Sequence, residues 1–263
     1  MRSRFRRWAG TRRIVAETTA MVVLIVGIKL LVHALSVEPI TLSPLYTSIV
    51  AGAVFVMGLI VAGELADYKE SDRMPAEITA SLDTLLEDAR MAKLTYPEFD
   101  LAALRQRLCA VTRTLRRDLT ATDDRSALTA INDLSVSISE LERLGIPANY
   151  VVRLRTEQSS IRKNVLRIYH IQREEFLPSA YALVESIVAL IIGGLLFTKI
   201  QPTHDAITLL ALISYFLIFM VRLLRILDKP FQPSTGSHDD VSLFLLREFR
   251  ARVEDDPPAV PGA

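Results

Sequence analysis

"GELADYKESDRMPAEI", Gly63–Ile78, is the stretch on which the fold of this chain turns. It follows directly on Pro44–Ala62, an apolar run of the kind that crosses a bilayer, where roughly 20 mostly apolar residues cover about 30 Å of hydrocarbon. Helices that leave a membrane usually stop at Gly, Pro or Asn. This one turns polar and runs on to Pro75. The expectation is one helix that passes from a bilayer into a solvated domain.

The rest of the sequence has the same division. Of 263 residues half are apolar and 23% are charged, with a net charge of +1 and a mean hydropathy of +0.29. The two classes are segregated along the chain, as in a membrane protein with a solvated part. Four segments are candidate spans: Ile14–Leu35, Pro44–Leu65, Leu177–Phe197 and Ala206–Leu227. Only "SVEPITLS" separates the first two and "TKIQPTHD" the last two, so the spans read as two hairpins. The domain reading is a basic N-terminus (1–13), a first transmembrane hairpin (14–65), a helical region (66–176), a second hairpin (177–227) and a tail with a short amphipathic helix (228–263).

Lysine and arginine near span ends set orientation. Six arginines lie in the first thirteen residues, and the inner end of the fourth span carries Arg222, Arg225 and Lys229, whereas the two short loops share one lysine, Lys199. Both termini and the middle region are therefore expected in the cytoplasm, with the protein multi-pass in a bacterial inner membrane. The arginines read as a topology signal, and no nucleic-acid partner is expected. A basic start before an apolar run also resembles a cleaved signal, with Val32–Ala34 at the cut. Glu17 and Lys29 inside the run argue against cleavage.

Residues 66–176 show helical periodicity and no strand alternation. Ile78, Leu82, Leu85, Leu86 and Ala89 share a face; so do Leu101, Leu104, Leu108, Val111 and Leu115, with Asp100 placed as an N-cap. Leu128, Ile131, Leu134, Ile138, Leu141 and Leu144 repeat the pattern up to Gly145 and Pro147. Val151, Leu154, Ile161, Val165 and Ile168 continue it. The fold class is all-α, with a cytoplasmic bundle flanked by the hairpins.

No P-loop, GxGxxG, HExxH, CxxC or nucleophile elbow occurs, so no enzyme activity, metal or cofactor is expected. Cys109 is the one cysteine and reads as a buried thiol. Asp123–Asp124 and Asp239–Asp240 precede apolar runs and read as helix-start charge.

Three stretches carry a resemblance. The second span runs into the Tyr-centred "ADYKESDRMPAEI", the third begins "LPSAYALVESIVALIIGGLLF", and the fourth ends "LLRILDKPF", an Asp-x-Pro-Phe. Together, over residues 14–232, they resemble the bacterial bestrophin-like membrane proteins of the bestrophin anion-channel superfamily. The resemblance implies a pentameric channel for anions such as chloride, whose second helices line a narrow neck and extend below it into a vestibule. It sets Tyr68 against the family's tyrosine, which puts Phe55 on a neck aromatic and Thr47 and Ala51 on smaller neck positions. "QPSTGSHDDV" after "DKPF" is no immediate acidic cluster, so a calcium clasp is not implied.

The reading adopted is an oligomeric ion channel, anion-conducting, with Phe55, Ala51, Thr47, Leu59 and Glu64 as pore or gate candidates. An apolar constriction of this kind gates by dewetting. The bland reading seats Phe55 against lipid or a neighbouring helix. Glu185, inside the third span, is a candidate intramembrane polar group, serving an ion pathway or bonded to Ser214 or Tyr215. Lys29 reads as a snorkelling side chain near the outer surface, and Glu17 and Arg13 as inner-interface groups. The expected partners are further copies of the chain, the lipid bilayer and inorganic ions. The alternative is a non-conducting scaffold or signalling subunit whose bundle binds a partner. A secondary transporter would need helices broken at mid-membrane, for which Gly193–Gly194 is the one hint.

Overall fold

The computed structural model describes residues 2–41, 43–120, 125–173, 178–228, 230–231 and 241–255, with the side chains of 2–13, 120, 173 and 178 outside the description. Among the described residues the chain is all-α but for one pair of two-residue strands. Its elements are α1 (Arg2–Ala34), β1 (Ile40–Thr41), α2 (Pro44–Thr95), α3 (Leu101–Thr120), α4 (Ser126–Arg143), α5 (Ala148–Arg173), α6 (Pro178–Leu196), β2 (Thr198–Lys199), α7 (Thr203–Leu227) and α8 (Phe244–Asp255). Among the described residues four helices are long and apolar enough to cross a membrane: α1 from Ile14, α2, α6 from Ser179, and α7. The Asp123–Asp124 and Asp239–Asp240 pairs and the side chain of Arg13 lie outside the described residues.

α2 is one helix of 52 residues, and it does not end at Pro75. A proline inside a helix removes one backbone bond at about 3 kcal/mol or more. Here the loss is offset by what lies on either side. Met57, Glu64, Ser71, Ile78, Leu85 and Ala92 recur every seventh residue, and all are buried. That is a coiled-coil-like seam, and it holds the helix in one piece through the proline. The Thr79 hydroxyl donates to the Pro75 carbonyl at 2.7 Å one turn on.

The chain divides into two compact units, the first taking in α1, α2 to Tyr68, α6 and α7, the second taking in α2 from Lys69, α3, α4, α5 and α8. In the first unit Met57 joins Val184, Val188, Ile191 and Leu195 of α6 and Leu210, Leu217 and Leu224 of α7 in one buried cluster. The most extensive packing of α1 is on α7, with α6 next, rather than on its neighbour in sequence. The two short loops meet each other: Ile40 pairs with Thr198 and Thr41 with Lys199 in a parallel register.

α6 runs unbroken through Gly193–Gly194. Gly194 has a packing reason instead. The Tyr46 hydroxyl of α2 donates to the Ile191 carbonyl at 2.8 Å, which lays the ring against Gly194. A Cβ there would lie 2.7 Å from that oxygen and 2.9 Å from a ring carbon.

The second unit is a helical bundle. The faces expected from periodicity are its core: Ile78, Leu82, Leu108, Leu115, Ile131, Leu134, Ile161 and Val165 are all buried. Leu128 and Leu144, at the ends of the α4 stripe, are half-buried. Asp100 caps α3 as its spacing predicts, accepting from Ala103 N–H at 2.9 Å. α4 ends at Gly145 (φ +85°), where Ile146 N–H reaches Leu141 O and Gly145 N–H reaches Glu142 O, the paired bonds of a Schellman motif. The start of α4 is held by Asp118 of α3, which is buried and accepts from Ala127 N–H at 2.8 Å, from Ser126 and from Tyr169. α8 buries Leu246, Phe249 and Val253, and Arg252 reaches both oxygens of Asp83 at 3.0 and 3.1 Å.

The paired glycines give a test. Gly194→Ala should lower the thermal midpoint in detergent, at a cost of about 1–3 kcal/mol for overpacking. Gly193→Ala meets open space and should be neutral or slightly stabilising. Equal effects would place the Tyr46 ring elsewhere.

Candidate ion pathway and its polar ends

The apolar half of α2 has two unlike sides. Its seam side is packed in the cluster just described. On the other side Thr47, Ala51, Phe55 and Leu59 follow one another at steps of four, and all are exposed in the single chain, Phe55 by 67% and Leu59 by 59%. Leu45, Ile49 and Val56 widen this apolar surface. Four of the five candidates on α2 are thus brought together. Glu64 is not with them. It lies nine residues beyond Phe55, half a turn round at ~100° per residue, and is 5% exposed on the seam. The seven-residue repeat running through Glu64 was the sequence signal for this; the apolarity of the run concealed it.

At the end of the first unit near Leu227, charge pairs tie the helices. Arg225 of α7 donates to Glu185 of α6, and Arg222 of α7 donates to Glu17 of α1. The partner of Glu185 is therefore Arg225, and the expected bond to Ser214 or Tyr215 is not formed: Ser214 is fully buried, and Tyr215 stacks on Phe219 at 6.1 Å between ring centres. A guanidinium offers a charge-assisted bond roughly twice as strong as a neutral hydroxyl does. Glu185 remains 48% exposed in the single chain. The Tyr181 hydroxyl is within 3.5 Å of the Leu224 carbonyl.

At the other end of the unit Lys29 overturns the snorkelling expectation. Its side chain is 1% exposed. The ammonium donates to Thr198 O at 2.6 Å and Leu196 O at 3.0 Å, and pairs with Glu38 at 2.9 Å. Three N–H groups meet three acceptors, so the buried charge is fully satisfied. Two of those acceptors are orphan carbonyls at and just beyond the end of α6, where a helix accumulates negative partial charge. His33 Nδ1 lies 3.2 Å from the other oxygen of Glu38, and its Nε2 lies 3.4 Å from the Thr203 hydroxyl of α7. Periodicity could not reveal this cluster. Its one sequence trace is Glu38, the lone acid of a short loop, opposite Lys29.

The Lys29 ammonium, with help from His33, holds the Glu38 carboxyl below its ordinary value of 4.5, against the opposing effect of burial. A carboxylate depressed in the folded state contributes stability above its unfolded value, and that contribution is lost as pH falls through the folded value. Stability measured by thermal unfolding in detergent should therefore decline below about pH 4.5. Glu38→Gln should flatten that part of the profile and lower the plateau. A profile unchanged in the glutamine variant would remove Glu38 from the balance.

Among the described residues no group of three or more His, Cys, Asp or Glu is placed to hold a metal ion. No family model matches the chain, and no curated protein matches it. Solved structures do. A tyrosine-to-alanine variant of a bacterial bestrophin homologue from Klebsiella pneumoniae superposes with a TM-score of 0.75 at 13% identity, over 92% of this chain and 97% of that one. An aspartate-to-alanine variant gives 0.74 at 14% identity, over 92% and 97%. A structure phased with zinc gives 0.73 at 14% identity, over 93% and 97%. These identities establish architecture alone, and over nearly its whole length this chain has the bestrophin fold.

Proposed function

We propose that the chain is one subunit of an oligomeric anion channel, with the pore lined by the exposed side of α2 and by its extension beyond the membrane. The observation that carries this reading is the two-sidedness of α2: one side is consumed by packing, and the other leaves Thr47, Ala51, Phe55 and Leu59 uncovered. The interior of the first unit is filled by Met57, Val184, Leu210 and Leu217, so a water path needs walls from several copies. Five copies is the number that the resemblance to the bestrophin-like proteins implies. Thr47, Ala51, Phe55 and Leu59 carry no carboxylate, which suits an anion such as chloride at that stretch. The surplus of arginine at the N-terminus and at the end of α7 supports a cytoplasmic second unit and cytoplasmic termini, in a bacterial inner membrane.

In this reading a ring of Phe55 side chains, one per subunit, narrows and dries the path. Purified protein in planar bilayers under asymmetric salt tests it. Phe55→Ala should raise unitary current or open probability and Phe55→Trp should lower them, without reversing selectivity, since no charge changes. A Phe55 buried against lipid or a neighbour would instead lose only stability, on the order of 3–5 kcal/mol on truncation, with currents unchanged. Complete absence of current in assembled wild-type protein would favour the scaffold reading.

Topology is testable separately. In a Cys109→Ala background, Ser36→Cys and Thr203→Cys should react with an impermeant thiol reagent added to intact cells. Asp133→Cys on α4 should react only after permeabilisation. The reverse pattern would overturn the orientation.

A further inference from the structure

We propose that an open cavity on α5, in the second unit, is a binding site for a phosphate-bearing ligand. It measures about 580 Å³, within the size range of small-molecule sites. Its walls carry two cations, Arg155 and Lys163, and three hydroxyls, Thr156, Ser159 and Ser160, and no carboxylate.

The positive charge of this surface is not cancelled within the chain. α5 carries six arginine and lysine residues against one acid, Glu157. Arg153 and Arg167 are paired with carboxylates of α2, Asp88 at 2.9 Å and Glu70 at 3.2 Å. Glu157 lies near enough to Asp88 for the two charges to repel. Among the described residues neither Arg155 nor Lys163 meets a carboxylate, and no acid stands three or four residues from either along α5.

Arg155 is held in place without being neutralised. Its Nη1 donates to the Ser135 hydroxyl at 2.9 Å and to the Gln158 side-chain carbonyl at 3.4 Å. Gln158 is itself 5% exposed, and its amide nitrogen donates to the Ile131 carbonyl at 2.6 Å and to Ser135 at 2.9 Å. Neutral acceptors thus orient the guanidinium, which keeps its full charge and has N–H groups left over from its five. Lys163 is exposed, and Ser159 stands one turn from it and one turn from Arg155. A carboxylate brings two oxygens and a phosphate three, with more charge, so a wall of guanidinium, ammonium and hydroxyl donors suits phosphate. Val152, 64% exposed in the same lining, gives apolar contact to the carbon skeleton that bears it.

Calorimetric titration of the full-length protein in detergent tests this with glycerol 3-phosphate and dihexanoyl phosphatidic acid as probes. Glycerol and potassium sulfate at matched ionic strength are the controls. At least one of the two phosphates should bind with Kd below about 1 mM. Binding of glycerol 3-phosphate marks a soluble ligand, and binding of phosphatidic acid alone marks a lipid headgroup. Lys163→Gln removes an exposed charge and should weaken binding about tenfold. Ser159→Glu sets a carboxylate one turn from both cations. Opposite charges at that spacing stabilise a helix, so the thermal midpoint should hold or rise while binding is lost. Arg116→Gln removes an exposed charge of α3, outside the cavity, and should leave binding unchanged. No heat from either phosphate overturns the proposal. So does binding matched by sulfate, binding that survives Ser159→Glu, or equal losses in Lys163→Gln and Arg116→Gln. No current is measured, so failure here leaves the channel reading untouched.

Discussion

A lysine sealed inside the apolar half of the molecule is the constraint around which the first unit is organised. Moving an ammonium out of water costs several kcal/mol even after relaxation, unless every N–H finds an acceptor. Lys29 finds three, and each belongs to a different piece of chain: the end of α6, the first residue of β2, and the loop before α2. The two-residue strand pairing follows from this. Ile40 N–H reaches Phe197 O at 3.2 Å, between the two carbonyls that Lys29 binds. Truncating Lys29 would strand a buried carboxylate and two carbonyls together, which is why one side chain can fix the ends of three helices.

The second organising element is the seam of α2. Its seven-residue repeat is indifferent to solvent. Met57 satisfies it among the apolar helices of the first unit, and Ile78, Leu85 and Ala92 satisfy it in the helical bundle of the second. Pro75 is tolerated because the packing on both sides outweighs one lost backbone bond. Glu64 occupies the same register at the point where the helix turns polar, and the register rather than the local hydropathy determines which way it faces.

What could be read from the sequence was what local periodicity encodes. The four apolar segments, the core faces of the bundle, the Asp100 cap and the Gly145 stop all depend on residues within a turn or two of each other. What could not be read depends on partners far along the chain. Lys29 meets Leu196 and Thr198 at separations of 167 and 169 residues, and Glu17 meets Arg222 at 205. A lysine near the end of a span reads as snorkelling until the acceptors that bury it are in place. Asp118 is a similar case. It caps a helix other than its own, so the sequence around Ser126 carried no sign of it. The likeness to the bestrophin fold was legible from three short stretches, the exit of the second span, the start of the third and the end of the fourth.

The ties within the first unit are unevenly shared, and this bears on which helix can move. α1, α6 and α7 are joined by charged contacts at both ends: Lys29 with Leu196, Thr198 and Glu38, Glu17 with Arg222, and Glu185 with Arg225. From Pro44 to Val61, the long-range directional tie of α2 among the described residues is the Tyr46 hydroxyl on Ile191. Everything else holding that stretch is apolar packing, which is non-directional and scales with area. Sliding α1 against α7 would break the Glu17–Arg222 ion pair. The stretch of α2 with the uncovered side is thus the part of the first unit held by the fewest directional ties.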